Sequence, residues 1–251
     1  MKYYIFLFLV SFFMYTPYSY AQVSDKADII KAAQLAYNQK DYKAAEKLYL
    51  DLLSSISDSH VELDSTKANC LLWLGQTYAQ MHEYRKAIDK CWKAEEIYEK
   101  KGDSTSKKMC VSCYNNIGYC YSKLAELEAD DYARDSLYEK SIGFYNQALE
   151  IYSLEGNKKD LGASFFNIGG ALYNMGEYSE AINDYFDKCE NLFKESGVDP
   201  EELSKVYSAK ASAYFQLGKK NAQTALETLM KKYPASDPAC RRAQQDLNRF
   251  K

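Results

Sequence analysis

Small, aromatic and aliphatic residues return along this chain at helical spacing. In "NIGGALYNMGEYSEAINDYF" (167–186) they fall on one stripe of a helix, pause at a glycine, and resume on a second stripe. "WLGQTYAQMHEYRKAIDKCW" (73–92) repeats that pattern without a gap, and "KAAQLAYNQKDYKAAEKLYL" (31–50) repeats it more loosely. The remaining letters drift, as solvent-facing positions can. Each block reads as two helices joined by a short turn. Such a pair cannot bury its apolar stripes alone, so the pairs must stack.

With Gly75 taken as position 8 of a unit, Leu71 falls at 4, Leu74 at 7, Tyr78 at 11, Tyr84 at 17, Ala87 at 20 and Ala94 at 27. Ala33, Gly118 and Gly169 take position 8 in other units, and Ala45 and Ala181 take position 20; Ala211 begins a fifth unit. Small residues at 8 and 20 let two helix backbones approach, while aromatics at 11, 17 and 24 fill the space around them. This pattern resembles the tetratricopeptide repeat. Anchor spacings of 42, 43, 51 and 42 exceed that repeat's usual ~34, so the chain looks like the long-helix branch of the family.

The resemblance implies an all-α fold, an α-solenoid of about five helix pairs plus a C-terminal capping helix. The pairs are expected at 26–60, 64–102, 107–156, 160–197 and 200–234, and the capping helix at 238–250. Gly102, Gly156 and Gly197 suit helix C-termini. Asp199 before Pro200, and Asp237 before Pro238, suit N-termini. The third unit carries eleven extra residues between Tyr121 and Ser141, close to three helical turns, so both of its helices can lengthen into a projecting hairpin. Glu126, Glu128, Asp130 and Asp131, near its tip, read as a solvated face.

The first 21 residues stand apart from the repeats. Lys2, the apolar run 3–14 and the small residues Ser19 and Ala21 form an export signal with cleavage expected after Ala21. Twelve apolar residues fall short of the roughly 20 that span a bilayer. The mature chain is therefore expected to be periplasmic or secreted, with no stable membrane span. It keeps 31 basic and 35 acidic residues, a balance that gives no footprint for nucleic acid.

Seven cysteines in an exported chain invite a disulfide framework, but the odd count argues against full pairing. Cys110, Cys113 and Cys120 have the closest approach to a metal or redox spacing, yet no second CxxC or His pair completes it, so no metal or cofactor is expected. Cys70, Cys91, Cys113, Cys120 and Cys189 fall where the repeat places small packing side chains. Disulfide formation after export stays open on spacing alone. His60 and His82 are the only histidines; His82 falls at the turn position 15, where Gly176 and Gly218 stand in other units. No nucleophile elbow, P-loop or HExxH is present.

In the family resembled, the first helix of each pair lines a concave groove. Carried over residue by residue, that assignment singles out Tyr37, Asn38, Gln76, Gln80, Asn115, Tyr119, Lys123, Phe166, Tyr173, Asn174, Phe215 and Gln216. Amides there can bond an extended backbone and aromatics can pack its side chains, which suits a protein or peptide ligand. A carboxylate clamp is not implied: Asn116 and Asn167 match its pattern, but Leu72, Gln76 and Ala163 do not. The reading is a non-catalytic protein- or peptide-binding scaffold or adaptor of a bacterial cell envelope, compatible with a homo-oligomer. The alternative is a sensory module of a signalling system.

Overall fold

The computed structural model describes residues 26–56, 65–231, 234–236 and 238–250. The expected signal segment and its cleavage point, His60 and the helix start at Asp237 lie outside them. Among the described residues the chain is helical throughout, with no strand. Its elements are α1 (Lys26–Asn38), α2 (Tyr42–Ser55), α3 (Ser65–Gln80), α4 (Tyr84–Lys101), α5 (Ser104–Leu127), α6 (Asp131–Glu155), α7 (Lys158–Met175), α8 (Tyr178–Glu180), a π-helical segment (Ala181–Phe186), α9 (Asp187–Ser196), α10 (Pro200–Met230) and α11 (Pro238–Asn248). Each helix packs on the next, and the first helices also touch one another along the stack: α1 with α3, α3 with α5, α7 with α10. Among the described residues the second helices make no comparable contacts with one another, so the first helices form the inner wall of an α-solenoid.

Side chains that satisfy free backbone groups set the helix boundaries. The carboxylates of Asp41, Asp103 and Asp130 accept from the amides of Ala44, Ser106 and Ala133 at 3.0, 2.7 and 2.8 Å, and Asn157 does the same for Asp160 at 3.2 Å. Gly102, Gly156 and Gly197 close α4, α6 and α9 in the left-handed region. The turns inside the first, second and fourth pairs also need that conformation at position 15. Gly176 supplies it at φ 82°, but Lys40 at 64° and His82 at 61° adopt it with a Cβ.

Glycines of the first helices sit directly against second-helix side chains in the second, third and fourth pairs. A Cβ added to Gly75 would lie 2.6 Å from the Cys91 sulfur, one on Gly118 2.9 Å from the Tyr145 ring, and one on Gly169 2.7 Å from the Phe186 ring. In the first pair Ala33 and Ala45 are fully buried around Tyr49. Second helices thus bury a common series at positions 20, 24, 27 and 31: Ala45, Tyr49, Leu52 and Ile56 in the first pair, Ala87, Cys91, Ala94 and Tyr98 in the second. In the third pair Ser141 takes position 20, where its hydroxyl donates to the Gly118 carbonyl at 2.7 Å.

The fourth pair keeps this packing by changing its helix type. From Ala181 its series runs to Phe186, Cys189 and Phe193, one residue later than elsewhere, and all four are buried. The π-helical segment Ala181–Phe186 absorbs the extra residue. Position 24 by simple counting is Tyr185, which is only half buried; the side chain packed on Gly169 is Phe186.

Two features at the third and fifth pairs stand out. Helices α5 and α6 run 24 and 25 residues against 16 and 18 for α3 and α4, and their tip projects with Leu127 73% and Tyr132 85% exposed. The acidic run there is more than a solvated face: Asp130 caps α6, Glu128 accepts from the Ala129 amide at 3.0 Å, and Glu126 and Asp131 pair with Lys123 and Arg134. The fifth pair departs from the expected turn at Gly218. Residues 200–230 form one continuous 31-residue helix, Ala211 is exposed, and the helix packed on its second half is α11.

Candidate functional site

The inner-wall residues singled out from the sequence divide into those occupied by neighbouring helices and those open to solvent. Tyr37 stands edge-on to Tyr42 and to Trp73, each at 5.5 Å, and burial is the main cause that raises its hydroxyl pKa. Its hydroxyl bonds the Gln80 side chain, so this pair ties α1 to α3. Asn115 donates to the Tyr152 hydroxyl at 3.3 Å, and Asn174 bonds the Tyr138 hydroxyl. Three amides of the expected row therefore hold helices together. Gln80 and Asn174 stand at position 13, on the last turn of α3 and α7, where the preceding unit is within reach; Asn115, at position 5, bonds the second helix of its own pair.

Other members remain at the surface. Asn38 is exposed at the end of α1, while Gln76 and Gln216 are half buried. Tyr119 lies 6.5 Å edge-on to Tyr84, beneath the Lys123 ammonium at 5.8 Å, and Lys123 pairs with Glu126 at 2.7 Å. Tyr173 packs edge-on to Tyr178 at 5.4 Å. Phe215, half exposed, meets Phe250 at 5.4 Å. His82 is exposed, and its Nδ1 bonds the Tyr84 hydroxyl at 2.8 Å.

Phe166 lines an inner-wall depression where several elements converge. A cleft of about 230 Å³ is bounded by Lys159, Ala163, Phe166 and Asn167 of α7, Phe193 of α9, and Glu202 and Lys205 of α10. Its floor is apolar: Phe166 rests against Phe186 at 5.8 Å and Phe193 is buried. Phe193 reaches this depth because Gly162 lies beneath it; a Cβ there would fall 2.6 Å from the ring. The rim is charged. Lys159 pairs with Glu202 at 3.5 Å across the cleft and Lys205 with Glu201 at 3.4 Å, and all four side chains stay in water, where such pairs exchange easily. An apolar floor with two movable ammonium groups can take an apolar side chain flanked by a carboxylate.

Sequence reading missed Lys159, Glu202, Lys205 and Phe193 as cleft residues. Gly162 was the available clue, a small residue one turn before Phe166 with no turn to serve.

The cysteines serve as packing residues. All seven are buried and outside any disulfide, and burial raises the Cys110 thiol to about 11 and the Cys120 and Cys189 thiols to about 12. Among the described residues no three His, Cys, Asp or Glu side chains gather as metal ligands, and no helix is long and apolar enough to cross a membrane.

A family model described as tetratricopeptide repeat matches residues 209–236. A search of the curated proteins finds no match. Several solved structures share the fold. BtubC (BKLC) from P. vanneervenii is 16% identical, with a TM-score of 0.62 over 89% of this chain and 77% of that one. The apo form of RapI is 15% identical, with a TM-score of 0.63 over 89% and 83%. A thermophilic TPR protein in Thermus thermophilus is 16% identical, with a TM-score of 0.52 over 89% and 100%. A Rap protein complexed with competence and sporulation factor is 18% identical, with a TM-score of 0.57; this chain covers 56% of its length. Together with the stacked pairs and their small-on-large contacts, these matches support the tetratricopeptide-repeat resemblance and give the chain the fold of an all-α solenoid of that type.

Proposed function

We propose that this chain is a non-catalytic scaffold that binds a protein or peptide on its inner wall, with the α7–α9–α10 cleft as the anchoring point. The observation that carries this reading is the cleft itself, an apolar floor of Phe166 and Phe193 rimmed by Lys159 and Lys205. Solenoids of this kind use their concave face for binding. The leader-like residues 1–21 support a role in a bacterial envelope, periplasmic or secreted, as an adaptor or assembly factor. The fold shared with a Rap protein crystallised with competence and sporulation factor favours a second reading, a sensory module answering a peptide.

Two measurements test the proposal. Amino-terminal sequencing of the exported protein is expected to begin at Gln22; recovery with Met1 intact contradicts export with cleavage. Titration of a peptide library is expected to select an aromatic or aliphatic residue next to Asp or Glu. Phe166→Ala is expected to weaken the selected peptide about tenfold, a loss of ~1.4 kcal/mol. Unchanged affinity in that variant contradicts the cleft as anchor.

A further inference from the structure

Helix α10 presents two apolar faces, and only one is covered. Val206, Lys210 and Ala213 pack on the fourth pair, where Lys210 bridges Asp187 at 2.6 Å and Glu190 at 2.5 Å. These are positions 3, 7 and 10, the same that α3 turns toward the first pair through Cys70, Leu74 and Thr77. In α3 the adjoining face, Leu71, Gly75 and Tyr78, is buried by α4. The corresponding residues of α10 are Tyr207, Ala211 and Tyr214, and they are open to solvent, Tyr207 at 44% and Tyr214 at 54%. The seat for a second helix is therefore built in register and left bare.

The helix that fits this seat lies further along the same chain. Ala222, Leu226 and Leu229 are spaced four and three residues apart, as are Ala87, Cys91 and Ala94 of α4, and Ser141, Tyr145 and Ala148 of α6. Independently, the tetratricopeptide-repeat match spans residues 209–236, on both sides of Gly218. One difference from the other pairs separates the seat from its helix. Ala222 follows Ala211 by eleven residues, whereas Ala45, Ala87 and Ala181 follow Ala33, Gly75 and Gly169 by twelve. One residue too few for the turn lets the helix run straight through Gly218. Leu226 is then buried and Gly218 lies against the Phe250 ring, where an added Cβ would fall 3.0 Å away.

We propose that the last unit is hinged at Gly218: it alternates between the straight arm described above and a closed pair in which residues 219–231 fold back onto Tyr207, Ala211 and Tyr214. In closing, α11 leaves Gly218 and the apolar strip of α10 is withdrawn from solvent. The hinge thus sets whether the end of the stack offers an apolar surface. This inference does not rest on peptide binding in the cleft.

Electron–electron spin distances test it. All native cysteines are buried, so labels go to Glu201→Cys and Met230→Cys, both on exposed positions. In a straight helix these sites are separated by ~44 Å, and in a closed pair by less than about 25 Å. The wild-type background is expected to show both distances. Inserting one glycine after Lys219, which restores twelve-residue spacing, is expected to enrich the short one, and Tyr214→Glu to remove it with helicity retained. A long distance alone in both the wild-type and the insertion backgrounds overturns the proposal. So does a short distance that vanishes on dilution with unlabelled protein, because it then arises between two chains exchanging the segment.

Discussion

A methyl group on Gly75 would meet the Cys91 sulfur at 2.6 Å and the Ala87 carbonyl oxygen at 3.2 Å. Gly75→Ala must therefore push α3 and α4 apart, and we expect a loss of about 1–3 kcal/mol in urea unfolding. Cys91→Ala in the same chain removes the sulfur and is expected to return part of that loss. Strict additivity of the two changes would contradict direct contact as the cause. Lys40 tests backbone strain instead. It holds φ 64° with no packing role, so Lys40→Gly is expected to raise stability by about 0.5–1 kcal/mol, the left-handed penalty less the added freedom of the unfolded chain. Glu95 tests burial of charge. Only 6% exposed, its carboxyl is raised chiefly by burial, opposed by the Tyr114 hydroxyl donating at 2.8 Å, and raised further by Glu99 and Glu96. A carboxyl that holds its proton more tightly folded than unfolded contributes stability in acid, and this is lost as pH rises through the folded value. Glu95→Gln keeps an acceptor for Tyr114, so its advantage over wild type is expected to grow as pH rises from about 4, the ordinary glutamate value. A constant difference over that rise contradicts a raised carboxyl.

At the scale of the element, the π-helical segment is an insertion that costs the fold no packing. Deleting exposed Asn183 is expected to convert Ala181–Phe186 to α-helix, keep Phe186 on Gly169, and change stability by less than about 1 kcal/mol. Deleting exposed Asp89 from α4 instead rotates Cys91, Ala94 and Tyr98 by ~100° off their contacts and is expected to unfold that pair. Circular dichroism melts of the two deletions check the contrast; equal damage would contradict the register argument. The five-residue step from Ala181 to Phe186 was visible in the sequence, but aromatic Tyr185 occupies the expected place and conceals it. The long hairpin of α5 and α6 was legible from eleven residues, a near-whole number of turns. The straight run of α10 was not, because a glycine at position 15 reads as a turn and a single missing residue decides otherwise.

For the whole molecule, the stacked pairs were legible because backbone approach demands small residues at fixed intervals, and Gly75, Gly118 and Gly169 declare them. The binding surface was less so. Tyr37, Asn115 and Asn174 are polar residues on first helices, the composition of a ligand wall, yet each spends its hydrogen bond on another helix. Lys159 and Lys205 are 46 residues apart and on different helices, and nothing local marks them as facing one cleft. Phe166 alone belongs both to the expected row and to that cleft. The central claim is that a polypeptide partner seats there. Site-specific photo-crosslinking in the source cell tests it most directly, with the reactive residue at position 166 and, as a control, at exposed Glu96 on α4. One discrete polypeptide adduct at 166 and none at 96, lost when Lys205 is also changed to Glu, is the expected result. The same adducts at both positions, or none at 166, would contradict it.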